Sequence, residues 1–315
     1  MRVAVIGVVG RLGRALTDAL AGAPFTGMRG PIGWDQPEVE LDTLTEASIG
    51  ALLDREKPEV VIHTAAWTDV VGCAKDPALA MRRNGTAVGE IARACASRGI
   101  DLVFISTNEV FDGRRTDGRG YRPGDERNPI NPYGAAKAEA ERLAIAAFEA
   151  AATARGGAPV GHLAITRTSW LYGPPGNDFP AKIAAAAIRA RDEGRPLQVV
   201  ADEIGCPTYT LDLAEAIVEL LGADALVAPG HVTGIHHLVN TGPTSRSGWA
   251  REVLRTAGIE VELVDVPAST WVRASEPPLW AVLEPTMLPT GEPMRPWQAA
   301  FADAAPALLR SLRGG

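Results

Sequence analysis

With 315 residues, the chain is long enough for one large α/β domain or for a domain carrying a smaller second lobe. Its 31 basic and 38 acidic residues give a net charge of −7 with no basic run, which excludes nucleic acid and anionic membrane as main partners. No apolar run is long enough to span a bilayer, and the first residues already read as a core strand, so neither a membrane span nor a signal peptide is expected.

The chain opens with a buried β-branched strand, Val3–Ile6, followed by Gly7-Val8-Val9-Gly10-Arg11-Leu12-Gly13 and a helical pattern over Leu12–Leu20. Strand, glycine turn and helix in this order place a pyrophosphate at a helix N-terminus. Gly7 permits the tight turn, Gly10 lets backbone approach phosphate, and Gly13 lets the helix pack close to the strand. Further strands are expected at Val60–His63 and Leu102–Ile105, with crossover helices at Ile49–Glu56 and Ala87–Ser97. This alternation predicts a Rossmann-type, doubly wound parallel sheet that binds ligands at the C-terminal ends of its strands.

The segment Asp112 to Pro132 is rich in Gly, Arg, Asp and Pro and reads as an exposed loop. Tyr133 opens a helix to about Ala150, and a strand follows at His162–Thr166. Beyond it come a helix over Phe179–Arg191, a strand at Leu197–Val200, a helix over Leu211–Leu221, a helix at Ser247–Thr256 and a strand at Val261–Val266. The expected division is a dinucleotide-binding domain over 1–168, to which 207–234 returns, and a smaller C-terminal substrate lobe from 169–206 and 235–315. Cys73, Cys95 and Cys206 are widely spaced and the five histidines do not cluster, so no metal is expected and the thiols suit a reducing, cytoplasmic compartment. His236 and His237 point to opposite faces of a strand and read as packing.

Tyr133 and Lys137, four residues apart, share one helix face. A phenol ordinarily titrates near pH ~10, and a neighbouring cation favours its phenolate, so such a tyrosine can exchange a proton with a carbonyl or alcohol. The glycine turn announces the hydride carrier that would complete a carbonyl reduction. A solvated helix face also carries Tyr and Lys at this spacing, and Ser106-Thr107 after a strand also suits a helix cap.

These motifs together resemble the extended short-chain dehydrogenase/reductase superfamily, and within it the dTDP-4-dehydrorhamnose reductase family of nucleotide-sugar 4-ketoreductases. The similarity includes Val61 to Val70, Ser106-Thr107, Val110-Phe111-Asp112-Gly113, Pro129 to Gly134, Arg167 to Gly173, Gly205 to Tyr209 and Asp212-Leu213-Ala214. The resemblance implies NADPH- or NADH-dependent reduction of the 4-keto group of a nucleotide-linked 6-deoxy sugar. Tyr133 would donate the proton, Lys137 would hold the ribose and lower the tyrosine pKa, and Thr107 would hydrogen-bond the keto oxygen. Gly7, Gly10, Arg11 and Leu12 would contact the pyrophosphate, Asp35 the adenosine ribose, Asp42 and Thr43 the adenine, and Ala65 and Ala66 the ribose or nicotinamide side. Asp35 favours NADH, whereas Arg11 and Arg29 suit the 2′-phosphate of NADPH. A homodimer is one expected assembly.

On the substrate side the resemblance implies Asn108, Glu109 and Trp170, although a Trp at 170 equally suits a core. Asn84 either orders the site or caps the helix through Ala87. The family pattern Ser-Thr-Asp-Tyr-Val-Phe is here Ser106-Thr107-Asn108-Glu109-Val110-Phe111, and an expected arginine near the C-terminal lobe is Glu276. Glu109 either faces and selects the sugar or pairs with a loop arginine such as Arg114. Two other functions fit the same residues: a sugar-nucleotide epimerase or other ketone reductase, and a non-catalytic, cofactor-binding regulatory subunit.

Overall fold

The computed structural model describes residues 1–25, 30–154, 160–174 and 177–313. In chain order β1 (Val3–Ile6), α1 (Arg11–Ala21), β2 (Ile32–Trp34), α2 (Glu46–Glu56) and β3 (Val60–His63) are followed by α3 (Val70–Lys75). A helical run then passes from α4 (Pro77–Met81) through a π-turn (Arg82–Thr86) into α5 (Ala87–Arg98). Next come β4 (Asp101–Thr107), a 3₁₀ turn (Asn108–Val110), α6 (Pro132–Ala154), β5 (Leu163–Thr168) and β6 (Leu171–Tyr172). The remainder comprises α7 (Phe179–Asp192), β7 (Leu197–Val200), β8 (Ile204–Gly205), β9 (Thr208–Tyr209), α8 (Thr210–Gly222), β10 (Thr233–His237), β11 (Thr244–Ser245), α9 (Arg246–Ala257), β12 (Leu263–Val266) and α10 (Trp297–Arg313).

Six strands form one parallel sheet in the order β10-β5-β4-β3-β1-β2. The strands read as unbroken apolar runs because both faces are covered. On one face Val61, Leu102, Phe104 and Ile165 pack against Leu53, Ile91, Ala140 and Phe148 from α2, α5 and α6. On the other, Val5, Ile62, Val103 and Ala164 meet Leu12, Leu16, Leu213 and Ile217 from α1 and α8. The chain leaves β1 for β2 on one side and returns to β3 on the other. That reversal opens a crevice between the C-terminal ends of β1 and β3.

The second lobe has its own core, in which Tyr172, Ile183, Val199, Tyr209, Trp249, Val253, Trp297 and Phe301 pack together from β6, α7, β7, β9, α9 and α10. β12 adds to it by pairing in parallel with β7, beginning at Leu263 opposite Leu197. The helix over 210–222 packs on the main sheet, but the expected boundary at 234/235 falls inside β10. That strand pairs with β5 from Thr233 to His237, so its ladder carries the chain three residues further into the main domain before it enters the lobe. The loop from Asp112 to Pro132 has little regular structure, yet it is anchored. Tyr121 stacks on Phe111 with ring centroids 4.2 Å apart and pairs with Leu283 of the lobe.

Candidate active site

Thr107 ends β4, and Tyr133 and Lys137 lie one turn apart at the start of α6. Two devices hold these elements together. Glu141, fully buried one turn beyond Lys137, accepts hydrogen bonds from Arg167 Nε and Nη2 at 2.9 and 2.7 Å and from Ser106 Oγ at 2.6 Å. At the helix start, Asn131 Oδ1 accepts from the Gly134 backbone N–H at 2.8 Å. A Cβ on Gly134 would stand 2.1 Å from the Glu109 carbonyl oxygen, so glycine lets α6 begin directly against the turn that follows Thr107. The Asn131 amide also donates to Glu109 Oε2 at 2.8 Å and to the Glu276 carbonyl at 3.0 Å. Asn131 is thus a hub that the sequence reading quoted within a motif but gave no role. A polar side chain immediately before a Pro at a helix start was the available signal.

Tyr133 is buried, and that burial raises its pKa, with the charges of Glu109 and Cys73 acting in the same direction and a hydrogen bond to Thr107 opposing them. In the absence of cofactor, burial, Glu109 and Cys73 outweigh any lowering of the tyrosine pKa. The Lys137 ammonium donates to the Ile105 carbonyl at 3.0 Å and sits 4.8 Å from the centre of the Phe104 ring. Burial brings Lys137 down to about 8, against the opposing pull of Glu141. Without cofactor the phenol is therefore held protonated, the form that can give a proton away.

Glu109 is half-buried on a 3₁₀ turn. Its pKa is raised by burial, with the hydrogen bond from Asn131 and the charge of Arg246 opposing. Among the described residues Glu109 forms no ion pair with Arg114, and the arginine whose charge acts on it is Arg246. Asn108 is buried and directed at protein, accepting from the Thr107 hydroxyl at 3.2 Å and donating to the Ala281 carbonyl at 3.3 Å.

Trp170 is half-buried with a positive φ of 46°. Its ring stacks on Trp249 with centroids 5.8 Å apart, and the Arg246 guanidinium lies 3.6 Å from its centre. Arg246 and Arg273 both bond to the buried carboxylate of Glu203. No local pattern marks these three, because they come from segments 43 and 70 residues apart.

On the cofactor side, Gly7 has φ +92°, and a Cβ there would come within 2.8 Å of the Ala65 nitrogen and the Thr64 hydroxyl. A Cβ on Gly13 would stand 2.0 Å from the Gly7 carbonyl oxygen. Gly10 caps α1 without a side-chain bond, and the first turn carries no acidic residue, so its backbone donors face an anion site unopposed. Arg11 donates to the Leu171 carbonyl at 3.1 Å and leaves a buried Nε without a partner. This open cradle and orphaned donor fit a pyrophosphate. Asp35, just beyond β2, accepts from the Val9 backbone N–H at 3.1 Å and so braces the turn. Arg29 lies outside the described residues.

Asp42 forms an ion pair with Arg83, whose guanidinium lies 5.2 Å from the centre of the Trp67 ring; Thr43 beside it is exposed. Ala65 and Ala66 begin the irregular segment after β3, which Asn84 fastens by accepting from the Trp67 N–H and donating to its carbonyl, each at 2.8 Å. Asn84 is buried in the π-turn within a continuous helical run, so it is not the cap of a new helix. That π-turn, a form often found at functional sites, was not foreseen. Among the described residues there is no group of His, Cys, Asp or Glu that could hold a metal, and no helix is long and apolar enough to cross a membrane.

Residues 1–309 match the family model described as the RmlD substrate binding domain. A dTDP-4-dehydrorhamnose reductase of Streptomyces griseus is 34% identical over 307 residues, covering 96% of this chain and 93% of that protein. The crystal structure of a dTDP-4-dehydrorhamnose reductase from Clostridium acetobutylicum superposes with a TM-score of 0.82 at 27% identity, covering 98% of this chain and 99% of that one. The structure of the Bacillus anthracis dTDP-4-dehydrorhamnose reductase in complex with NADP gives a TM-score of 0.79 at 28% identity, covering 96% and 98%.

Proposed function

Because the chain belongs to the RmlD substrate binding domain family, we propose that it is an NAD(P)H-dependent reductase of the 4-keto group of a nucleotide-linked 6-deoxy sugar. What supports this reading is that Thr107 closes β4 and Tyr133 and Lys137 open α6, at the strand-end rim that also carries the glycine turn. When bound, the nicotinamide supplies a hydride to the carbonyl carbon. Tyr133 gives its phenolic proton to the carbonyl oxygen, so the ketone becomes an alcohol and the phenol a phenolate. The Thr107 hydroxyl stabilises the charge that develops on that oxygen. Lys137 holds the ribose hydroxyls and supplies positive charge as the phenolate forms.

Gly7, Gly10, Arg11 and Leu12 hold the pyrophosphate in this reading, Asp35 lies by the adenosine ribose, Asp42 and Thr43 by the adenine, and Ala65 and Ala66 by the nicotinamide. NADPH is the favoured reductant; the NADP complex of the Bacillus anthracis relative supports it, whereas the Asp35 carboxylate favours a free 2′-hydroxyl. Three buried free thiols, Cys73, Cys95 and Cys206, suit a reducing, cytoplasmic setting.

The test is to follow nicotinamide absorbance after adding a dTDP-4-keto-6-deoxyhexose to the protein with NADPH or NADH. Oxidation of cofactor with formation of the 4-alcohol is expected. Cofactor binding without oxidation across a panel of 4-keto sugar nucleotides would favour a regulatory subunit instead.

A further inference from the structure

Glu109 takes no part in the hydride and proton steps, yet it stands beside the groups that carry them. Its backbone N–H donates to Thr107 Oγ1 at 3.2 Å, and its carboxylate is the strongest charge acting on the Tyr133 phenol. Asn131 donates to one of its oxygens, Oε2. Among the described residues no donor reaches Oε1, and that oxygen is not one of the buried unpartnered atoms, so it is open to solvent on the site side. Arg246 acts on the carboxylate by charge but directs its hydrogen bond to Glu203.

A substrate that seats here displaces water from that oxygen, which is costly unless the substrate brings a donor of its own. The negative charge of Glu109 also disfavours the phenolate that remains once Tyr133 has given up its proton. A donor carried by the substrate answers the first penalty, and a cationic donor offsets the second as well. We propose that Glu109 is a specificity-determining residue that reads a hydrogen-bond donor, hydroxyl or ammonium, on the sugar carbon next to the reacting ketone. This rests on the 4-ketoreductase reading. In a 4-keto-6-deoxyhexose the carbonyl has two neighbours, and C5 bears the methyl group and the ring oxygen. The donor therefore belongs to C3.

The experiment compares kcat/KM for three dTDP-linked 4-keto-6-deoxy sugars that carry hydroxyl, amino or hydrogen at C3. The full-length protein is used as wild type, Glu109→Gln and Glu109→Ala. Wild type should favour a donor-bearing sugar over the 3-deoxy sugar by about tenfold or more, and Glu109→Ala should bring that ratio to within about threefold of unity. Glu109→Gln keeps an amide oxygen. It should retain the preference if the donor is a hydroxyl and lose it if the donor is an ammonium, whose charge an amide does not offset.

A ratio left intact in Glu109→Ala, with all three sugars slowed equally, would reduce Glu109 to a support for Asn131 and overturn the inference. Equal use of all three sugars by wild type would also overturn it while leaving the reductase reading standing. Failure of wild type to turn over any of them would bring down both.

Discussion

On the side proposed for the cofactor, each segment follows or closes a strand in one sheet. The glycine turn follows β1, Asp35 follows β2, Ala65 and Ala66 follow β3, and Thr107 closes β4. Around Trp170, on the side proposed for the substrate, Glu203, Arg246 and Arg273 come from separate segments and meet through stacking and charge. The first wall is fixed by backbone hydrogen bonds and by glycines that admit no side chain. The second is fixed by side chains that another residue could replace. A fold built this way separates the backbone-fixed rim from the side chains that line the other wall.

The sharpest way to break this comparison is to remove chemistry from the rigid wall without moving it. Tyr133→Phe should lower kcat by about 10²–10⁴-fold, the range for a positioned acid, while cofactor binding by fluorescence titration stays unchanged. A rate near wild type would take Tyr133 out of the mechanism. Next in size is the buried support of that wall. Glu141→Ala strands the Arg167 guanidinium away from water, and breaking a buried pair in this way costs about 3–5 kcal/mol. Denaturant unfolding should show that loss, and a change below about 1 kcal/mol would mean that the pair does not anchor α6.

The substrate wall should answer differently. Trp170→Ala removes the plate on which Arg246 and Trp249 stack, and we expect KM for the sugar nucleotide to rise about tenfold, equivalent to ~1.4 kcal/mol, with cofactor affinity retained. Loss of cofactor affinity instead would show that the two walls are not independent.

The smallest effect concerns pH. Lys137 is lowered to about 8 in the folded protein from an ordinary value of 10.5. Between those two values the unfolded chain binds more protons than the folded one, so stability from this group rises with pH through that window. Cofactor-free wild type should gain about 1 kcal/mol relative to Lys137→Met between pH ~8 and ~9. Parallel stability curves for the two proteins would contradict the burial of that ammonium.

The sequence reveals the rigid wall well because local pattern and tertiary role coincide there. β-branched runs make buried strands, glycines follow them, and a Tyr–Lys spacing of four puts both side chains on one helix face. Three features escaped. The last strand of the sheet, Thr233–His237, has mixed polarity at a half-buried edge, so a chain division placed inside it went unnoticed. The direction of the Tyr133 shift depends on which groups surround it in space, and Glu109 and Cys73 lie 24 and 60 residues away in sequence. The π-turn that carries Asn84 has the hydrophobic pattern of an ordinary helix, and only its hydrogen bonds to Trp67 betray its function.

Isotope transfer tests the central claim most directly. The protein is incubated with a dTDP-4-keto-6-deoxyhexose and NADPH or NADH carrying deuterium at the transferable position of the nicotinamide, and the product sugar is read by NMR. Deuterium should appear on C4 with wild type and be nearly absent with Tyr133→Phe. Label at any other carbon, or undiminished transfer in the variant, would contradict hydride delivery to a ketone protonated by that phenol.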